Sequence, residues 1–462
     1  MPQFLDSLQN SIADTQRVKI IFIILISAFI GVSLAIGGDY SYATLWVIFG
    51  VFFFMYCLRQ PYVNLILFMI AAFLFLPFHY VPFLNIFNAI NPLTFLGTAL
   101  AVKIFFDKVM KNSGPWSLRI EKIDKIYFIF IISALVSTCS AKSVLGALNW
   151  IFYSIVIGYI PFKVITYLER GEINKIIRAI VILGSLCAFE GIVEYSLQHS
   201  ILYPVFQGRL TSLLGHPLTN GILFSTFFPY SLFLYSRTKE KKFIGCAIIF
   251  FTAIILTQAR GSWIALTSGL IFVLLIAPVK VKIRLIIAIL MVSATIAAVP
   301  SFRNTISSRA REYEGQKYSS WNIRLESIPV ALDIIKDKPF FGGGPFNSGR
   351  YKDEYASDIT LRETTFENSY LGLLVDFGLV GCVLLFSIYF LVLQRVLSAI
   401  KLIRRNDYAL YFVLWSLVSM FINMGTFNFD SYRAFSFVVW FFMGAAVSLS
   451  RFFASYPLED RT

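Results

Sequence analysis

Long apolar runs recur along most of this chain, each long enough, at roughly 17–25 residues, to cross a hydrocarbon core. Length alone, 462 residues, suggests about three soluble domains, but these runs overrule that expectation. Only 14% of the residues are charged and 57% are hydrophobic, against roughly 25% charged in soluble domains. A lipid-spanning barrel would show short segments of alternating polarity, and the chain has none. The predicted class is therefore all-α, a polytopic membrane protein of about 12–14 transmembrane helices.

The apolar runs predict spans starting near residues 20, 42, 62, 92, 126, 145, 178, 217, 243, 262, 284, 369, 408 and 434. Arg17 and Lys19 precede the run Ile20–Ile36 in the manner of a signal sequence. That run is long for such a segment and its small-residue cleavage signal is weak, so it reads as a retained first span. The formal charge of +14 does not point to nucleic acid, because the basic residues sit in short links between spans. Alternate links carry Arg59, Lys108 to Lys122, Arg170 and Lys175, Arg237 to Lys242, Lys280 and Lys282, then Lys401 to Arg405. By the positive-inside rule these links are cytoplasmic. Both termini then face the cytoplasm, and residues 301–368 lie outside.

That outer segment carries ten Lys/Arg and ten Asp/Glu, so it is no simple charge anchor. Within "WNIRLESIPVALDIIKDKPFFGGG" (321–344), Trp321, Leu325, Ile328, Leu332 and Ile335 recur at helical spacing and predict one apolar stripe. Pro339 and Gly342–Gly344 end the helix, which is expected on the membrane surface or against the span bundle. "GGGPFNSGR" lacks the ending and preceding strand of a phosphate loop and reads as a flexible turn.

At the loop exit, "FENSYL" puts Glu367 beside Asn368 and Ser369, either of which could cap the entering helix. Glu367 then has two readings: compensation of the helix dipole, or a general base at the membrane surface. Glu190 and Glu194 share a helical face, and Asp376 lies in the span after the loop. Intramembrane carboxylates usually carry function. Glu194 and Asp376 are read either as wet groups near the outer surface or as structural partners of Lys163 or an external arginine.

On the face poor in basic residues, Arg209, Arg260 and Arg433 stand out. Each has a bland reading as a headgroup anchor or snorkelling side chain. Arg209 and Arg260, flanked by glycine and small polar residues, favour anion binding, and Arg324 is a third candidate cation. The five cysteines (Cys57, Cys139, Cys187, Cys246, Cys382) have no CxxC spacing, and His79, His199 and His216 form no cluster. No metal site is predicted.

In order, "RLTSLLGHPLTNG" (209–221), "LTQARGSWIAL" (256–266), "IRLESIPVALDIIKDKPFFGGGP" (323–345) and "ENSYLGLLVDFGLVG" (367–381) resemble the O-antigen ligase and polymerase family. The resemblance covers roughly residues 200 to 450. It implies a membrane glycosyltransferase of the type-C fold, without cofactor, metal or nucleotide sugar, in the bacterial inner membrane. Its implied partners are an undecaprenyl-diphosphate-linked glycan donor, a glycan acceptor and the lipid bilayer, with a chain-length regulator as a further candidate and no nucleic acid. It implies that Arg209, Arg260 and Arg324 bind the diphosphate, that Glu367 is the catalytic base, and that His216, Asn368 and Tyr370 support the site. The ligase subgroup carries His where Glu367 stands, which shifts the expectation toward a polymerase of O-antigen or exopolysaccharide repeats. A ligase acting on lipid A core or protein is the alternative, and a lipid-linked glycan flippase the rival from another class. The expected division is residues 1–200 as N-terminal spans, 201–300 as spans with the external arginines, 301–368 as the outer loop and 369–462 as C-terminal spans.

Overall fold

The computed structural model describes residues 51–75, 92–111, 120–198, 208–213, 215–283, 285–286, 320–356, 366–402, 408–427 and 433–454. The expected span starting near residue 20, residues 42–50 of the next, most of the span starting near 284, the histidines His79 and His199, and the side chains of Trp321 and Arg433 lie outside the described residues. Two compact units are present, residues 1–60 and 61–462. In the first, residues 51–59 are helical.

In the second unit every described element is a helix: α1 (Tyr62–Phe75), α2 (Pro92–Lys111), α3 (Lys122–Thr138), α4 (Val144–Tyr167), α5 (Arg170–Leu197), α6 (Pro217–Thr238), α7 (Lys242–Thr257), α8 (Arg260–Ile276), α9 (Ser320–Asp337), α10 (Ser348–Tyr355), α11 (Ser369–Leu402), α12 (Ala409–Met424) and α13 (Arg433–Ala454). Helices α4, α5, α11 and the Ser436–Ala454 part of α13 are long and apolar enough to cross a membrane, and α1, α7, α8 and α12 are shorter apolar helices. The protein is an all-α polytopic membrane protein.

Charged side chains inside the bundle are neutralised locally, as a low-dielectric surrounding demands. Lys103 pairs with Asp107 at 3.1 Å, and the Tyr62 hydroxyl donates to the same carboxylate. Lys163 pairs with Asp124, which also accepts from Tyr159 at 2.6 Å. Lys163 is therefore the partner of neither Glu194 nor Asp376. The middle of α4 widens into a π-helical turn over Ser154–Tyr159. Pro161 follows it, and in a regular helix its ring would clash with the carbonyl four residues earlier. Small polar residues join α6 to α12: Asn423 donates to Ser225 at 3.0 Å and Ser416 to the Thr226 carbonyl at 2.8 Å. Such residues let helix backbones approach closely in lipid.

The described part of the 301–368 segment folds onto the head of α11. Val330, Ala331 and Ile334 of α9 bury against Tyr351, Ala356, Phe366 and Val375. The expected stripe is met only in part: Ile335 packs against this cluster, while Leu325, Ile328 and Leu332 are exposed and the helix docks mainly through the neighbouring face. Ser327 and Ala331 on that face are small and fully covered, so α9 can approach α11 closely there.

Helix α11 breaks at Gly378, whose φ of 61° and ψ of −167° are open to glycine. A break in a buried helix frees backbone groups that need partners. The turn after α9 supplies them. Gly343 N–H donates to Val375 O (2.7 Å) and Gly344 N–H to Asp376 O (2.9 Å), while Leu379 and Val380 donate to Pro339 O and Phe340 O. A Cβ on Gly378 would run into the Phe340 carbonyl, and one on Gly342 into the Asp376 backbone. The glycine run is thus a fixed, close-packed turn rather than a flexible one.

Candidate functional site

The site begins with the cap of α11. The Asn368 side-chain oxygen accepts from Tyr370 N–H (2.9 Å) and Leu371 N–H (3.3 Å), satisfying donors that a helix start leaves open. Ser369 uses both its N–H and its hydroxyl on the Phe427 carbonyl. Glu367, one residue ahead of the cap, is left out of the capping. Its carboxylate lies 2.7 Å from the Arg324 guanidinium on α9, and both side chains are partly exposed.

A second cation stands behind this pair. Lys352 on α10 is fully buried, with its ammonium 5.2 Å from the ring centroid of Phe366, the residue before Glu367. Burial pulls the Lys352 amine down to about 8, opposed by the attraction of the Glu367 and Asp353 carboxylates.

Helix α10 is itself pinned by Asp376. This carboxylate, 1% exposed, accepts from the backbone N–H of Phe346 (3.0 Å), Asn347 (3.0 Å) and Ser348 (2.6 Å). Consecutive N–H groups converging on an anion form the cradle that a phosphate loop uses. Here the anion is internal. Asp376 is therefore not a wet carboxylate, and it pairs with no arginine among the described residues; it is the clamp that holds α10.

A second group of expected residues gathers where α7 meets α8. Arg260 is the first residue of α8. Arg209 donates through Nε to the Thr257 carbonyl at 2.9 Å, and Leu210 N–H donates to the Leu256 carbonyl at 3.0 Å. His216 is the N-cap of α6, where Nδ1 accepts from Leu218 N–H at 3.3 Å. Burial, aided by the Arg209 charge, pushes the His216 imidazole down to about 4, so it stays neutral and able to accept. Nearby, Glu190 accepts from Leu213 N–H at 3.1 Å. Glu194 is 4% exposed, so it too is a buried rather than a wet group.

The two groups share one end of the bundle. Ser369 bonds to Phe427, and the neighbouring Thr426 packs on Gly261, the residue after Arg260. From Arg260 the path runs through Thr257 to Arg209. Arg324 and Glu367 are therefore in direct contact, and Arg209, Arg260 and His216 lie along the same rim. Tyr370 is committed elsewhere: its hydroxyl donates to the Phe421 carbonyl inside the bundle. Lys352 gave no sequence signal, because in "SGRYKDEY" it looks like one more charge on a short polar helix.

Such a rim, with a partly exposed carboxylate among cations, suits proton abstraction beside an anionic leaving group. Fold and site define a polytopic membrane protein with a carboxylate–cation centre at one end of its bundle. Residues 245–386 match the family model described as O-antigen ligase, and that match supports membership of the O-antigen ligase/polymerase family. The matched region contains Arg260, Arg324, Lys352, Glu367 and Asp376. The family implies glycan transfer of the ligase or polymerase kind, with lipid-linked glycan and acceptor substrates in a bacterial membrane. A comparison with curated proteins gave no match.

Proposed function

We propose that the protein is a polymerase of undecaprenyl-diphosphate-linked oligosaccharide repeats, acting on the outer face of the plasma membrane to build O-antigen or exopolysaccharide. The Arg324–Glu367 pair at the head of α11, inside the family-matched region, carries this reading. The arginines on the same rim support it.

In the proposed reaction the acceptor sugar hydroxyl attacks C1 of the donor glycan. Glu367 takes the hydroxyl proton as the new C–O bond forms. The bond from C1 to the diphosphate oxygen breaks, and its electron pair leaves with undecaprenyl diphosphate. Arg209, Arg260 and Arg324 hold that diphosphate by charge-assisted, fork-shaped hydrogen bonds and stabilise the charge it gains. One such displacement inverts the anomeric centre. The excess of basic residues on alternate links supports a topology with this rim outside and both termini in the cytoplasm.

The description of the matched family favours a second reading, transfer of the finished glycan by a ligase. Glu367, where the ligase subgroup has His, favours the polymerase. Deletion of the gene separates them. Loss of a polymerase leaves single repeats attached to the acceptor, and loss of a ligase leaves none attached.

A further inference from the structure

The break in α11 sets a level in the molecule. Along a straight helix Tyr370 and Phe386 would stand about 24 Å apart, yet their ring centroids are 5.5 Å apart. Gly378 therefore turns the head of α11, Ser369–Phe377, sharply away from the part that follows. That part, Leu379–Leu402, rises about 36 Å at 1.5 Å per residue, against roughly 30 Å of hydrocarbon core. It spans without the head and ends at Lys401, in a basic link. Gly378 then marks the opposite edge of the core.

Below that edge, Leu379, Val383, Phe386 and Phe390 recur at helical spacing and are exposed, the row that a spanning helix turns to lipid. The row does not stop at the break. Leu379 N–H and Val380 N–H donate to the Pro339 and Phe340 carbonyls at 2.9 and 3.1 Å, so the turn after α9 sits on top of it. Phe340, 65% exposed, and its exposed neighbour Phe341 belong to that turn. On α9 itself, Leu325, Ile328 and Leu332 add an exposed apolar row at three- and four-residue spacing. Glu326, Asp333 and Asp337 form a separate exposed row, and Val330, Ala331 and Ile334 are taken up by protein.

Helix α9 thus has a side for protein, a side for water and a bare apolar side. A helix at a membrane interface has this division, with its apolar side at the boundary of headgroups and acyl chains. We propose that α9 and the turn after it are an interfacial anchor, with Leu325, Ile328, Leu332, Phe340 and Phe341 seated in the acyl edge of the bilayer. Bilayer lipid is the occupant because the patch runs, through the turn, into the lipid-facing row of α11. Arg324 precedes Leu325, so the same anchor holds its guanidinium at the level of the headgroup phosphates.

The test uses wild-type full-length protein in bilayers of phosphatidylethanolamine and phosphatidylglycerol, labelled in parallel by two probes. A phospholipid carrying a diazirine near the top of one acyl chain reports contact with lipid, and hydroxyl radicals report contact with water. Both labels are mapped to residues by mass spectrometry. The anchor predicts lipid label on Leu325, Ile328, Leu332, Phe340 and Phe341, as on Val383 and Phe390, and none on Glu326, Asp333 or Asp337. Radical label on the apolar row without lipid label overturns the proposal. A row shielded from both probes overturns it too, since a protein partner or a second copy would then cover it. Equal lipid label on the acidic row is a third contrary result. In Leu332→Glu, lipid label on Leu325 and Ile328 should fall about tenfold, because a carboxylate is costly at the acyl boundary, with label on Val383 and Phe390 kept. Unchanged label on Leu325 and Ile328 contradicts the anchor. No readout uses turnover, so the result stands whether or not Glu367 is the base.

Discussion

The Arg324 guanidinium and the Glu367 carboxylate meet at 2.7 Å, tying the helix in the middle of the polar segment to the residue at its exit. Asn368 rather than Glu367 caps α11, which leaves the Glu367 carboxylate to its contact with Arg324. Glu367→Gln keeps the shape and removes the proton acceptor. It is expected to slow turnover by about 10²- to 10⁴-fold with donor binding largely retained, measured as single-turnover rate and donor affinity on purified protein. Full activity in that variant places the base elsewhere.

Arg260 opens α8 beside the Thr257 carbonyl that Arg209 uses. Arg260→Ala should abolish polymer in cells while the protein level in the membrane stays normal. Polymer profiles on gels, read beside quantitative blots, check this. Chain lengths equal to wild type would sink the diphosphate assignment.

Asp376 holds three backbone N–H groups in a place closed to water. Asp376→Ala leaves those donors without a partner, at a cost of about 1–3 kcal/mol for each that water cannot reach. Hydrogen exchange over residues 341–356 should speed markedly, and activity should fall as α10 and the head of α11 lose their packing. Unchanged protection in that segment would mean that the clamp contributes little.

His216 caps α6 only while neutral. Its pKa is lowered to about 4 in the fold from an ordinary value of about 6.5, so between these values the unfolded chain binds more protons. Stability from this group is therefore complete above about pH 6.5 and is lost as pH falls toward 4. His216→Asn retains an N-cap acceptor without a titrating ring. Thermal unfolding of the variant should show a smaller drop over that window. Parallel wild-type and variant curves would contradict the capping role.

Much of the architecture was legible because lipid imposes long apolar helices. Helices begin at Tyr62, Pro92, Val144, Pro217, Lys242, Arg260 and Ala409, each within a residue or two of the start of an apolar run. Other features depended on tertiary contacts that no local pattern encodes. Helix α9 is apolar on more than one face, and spacing alone chose Leu325, Ile328 and Leu332 over the side that packs. Asp376 was visible as a costly carboxylate, yet its partners are N–H groups about 30 residues earlier in the chain. Glu367 and Arg324 were each legible in their motifs, while the contact between them depended on how α9 folds back. Lys352 is buried only because that fold closes over it.

The most direct test of the central claim is reconstitution of purified protein with a defined undecaprenyl-diphosphate-linked repeat and no ion gradient or nucleotide sugar. The account predicts a ladder of lengthened lipid-linked repeats from wild type and almost none from Glu367→Gln. Repeats that remain single, or that appear only on an added lipid A core acceptor, would contradict it.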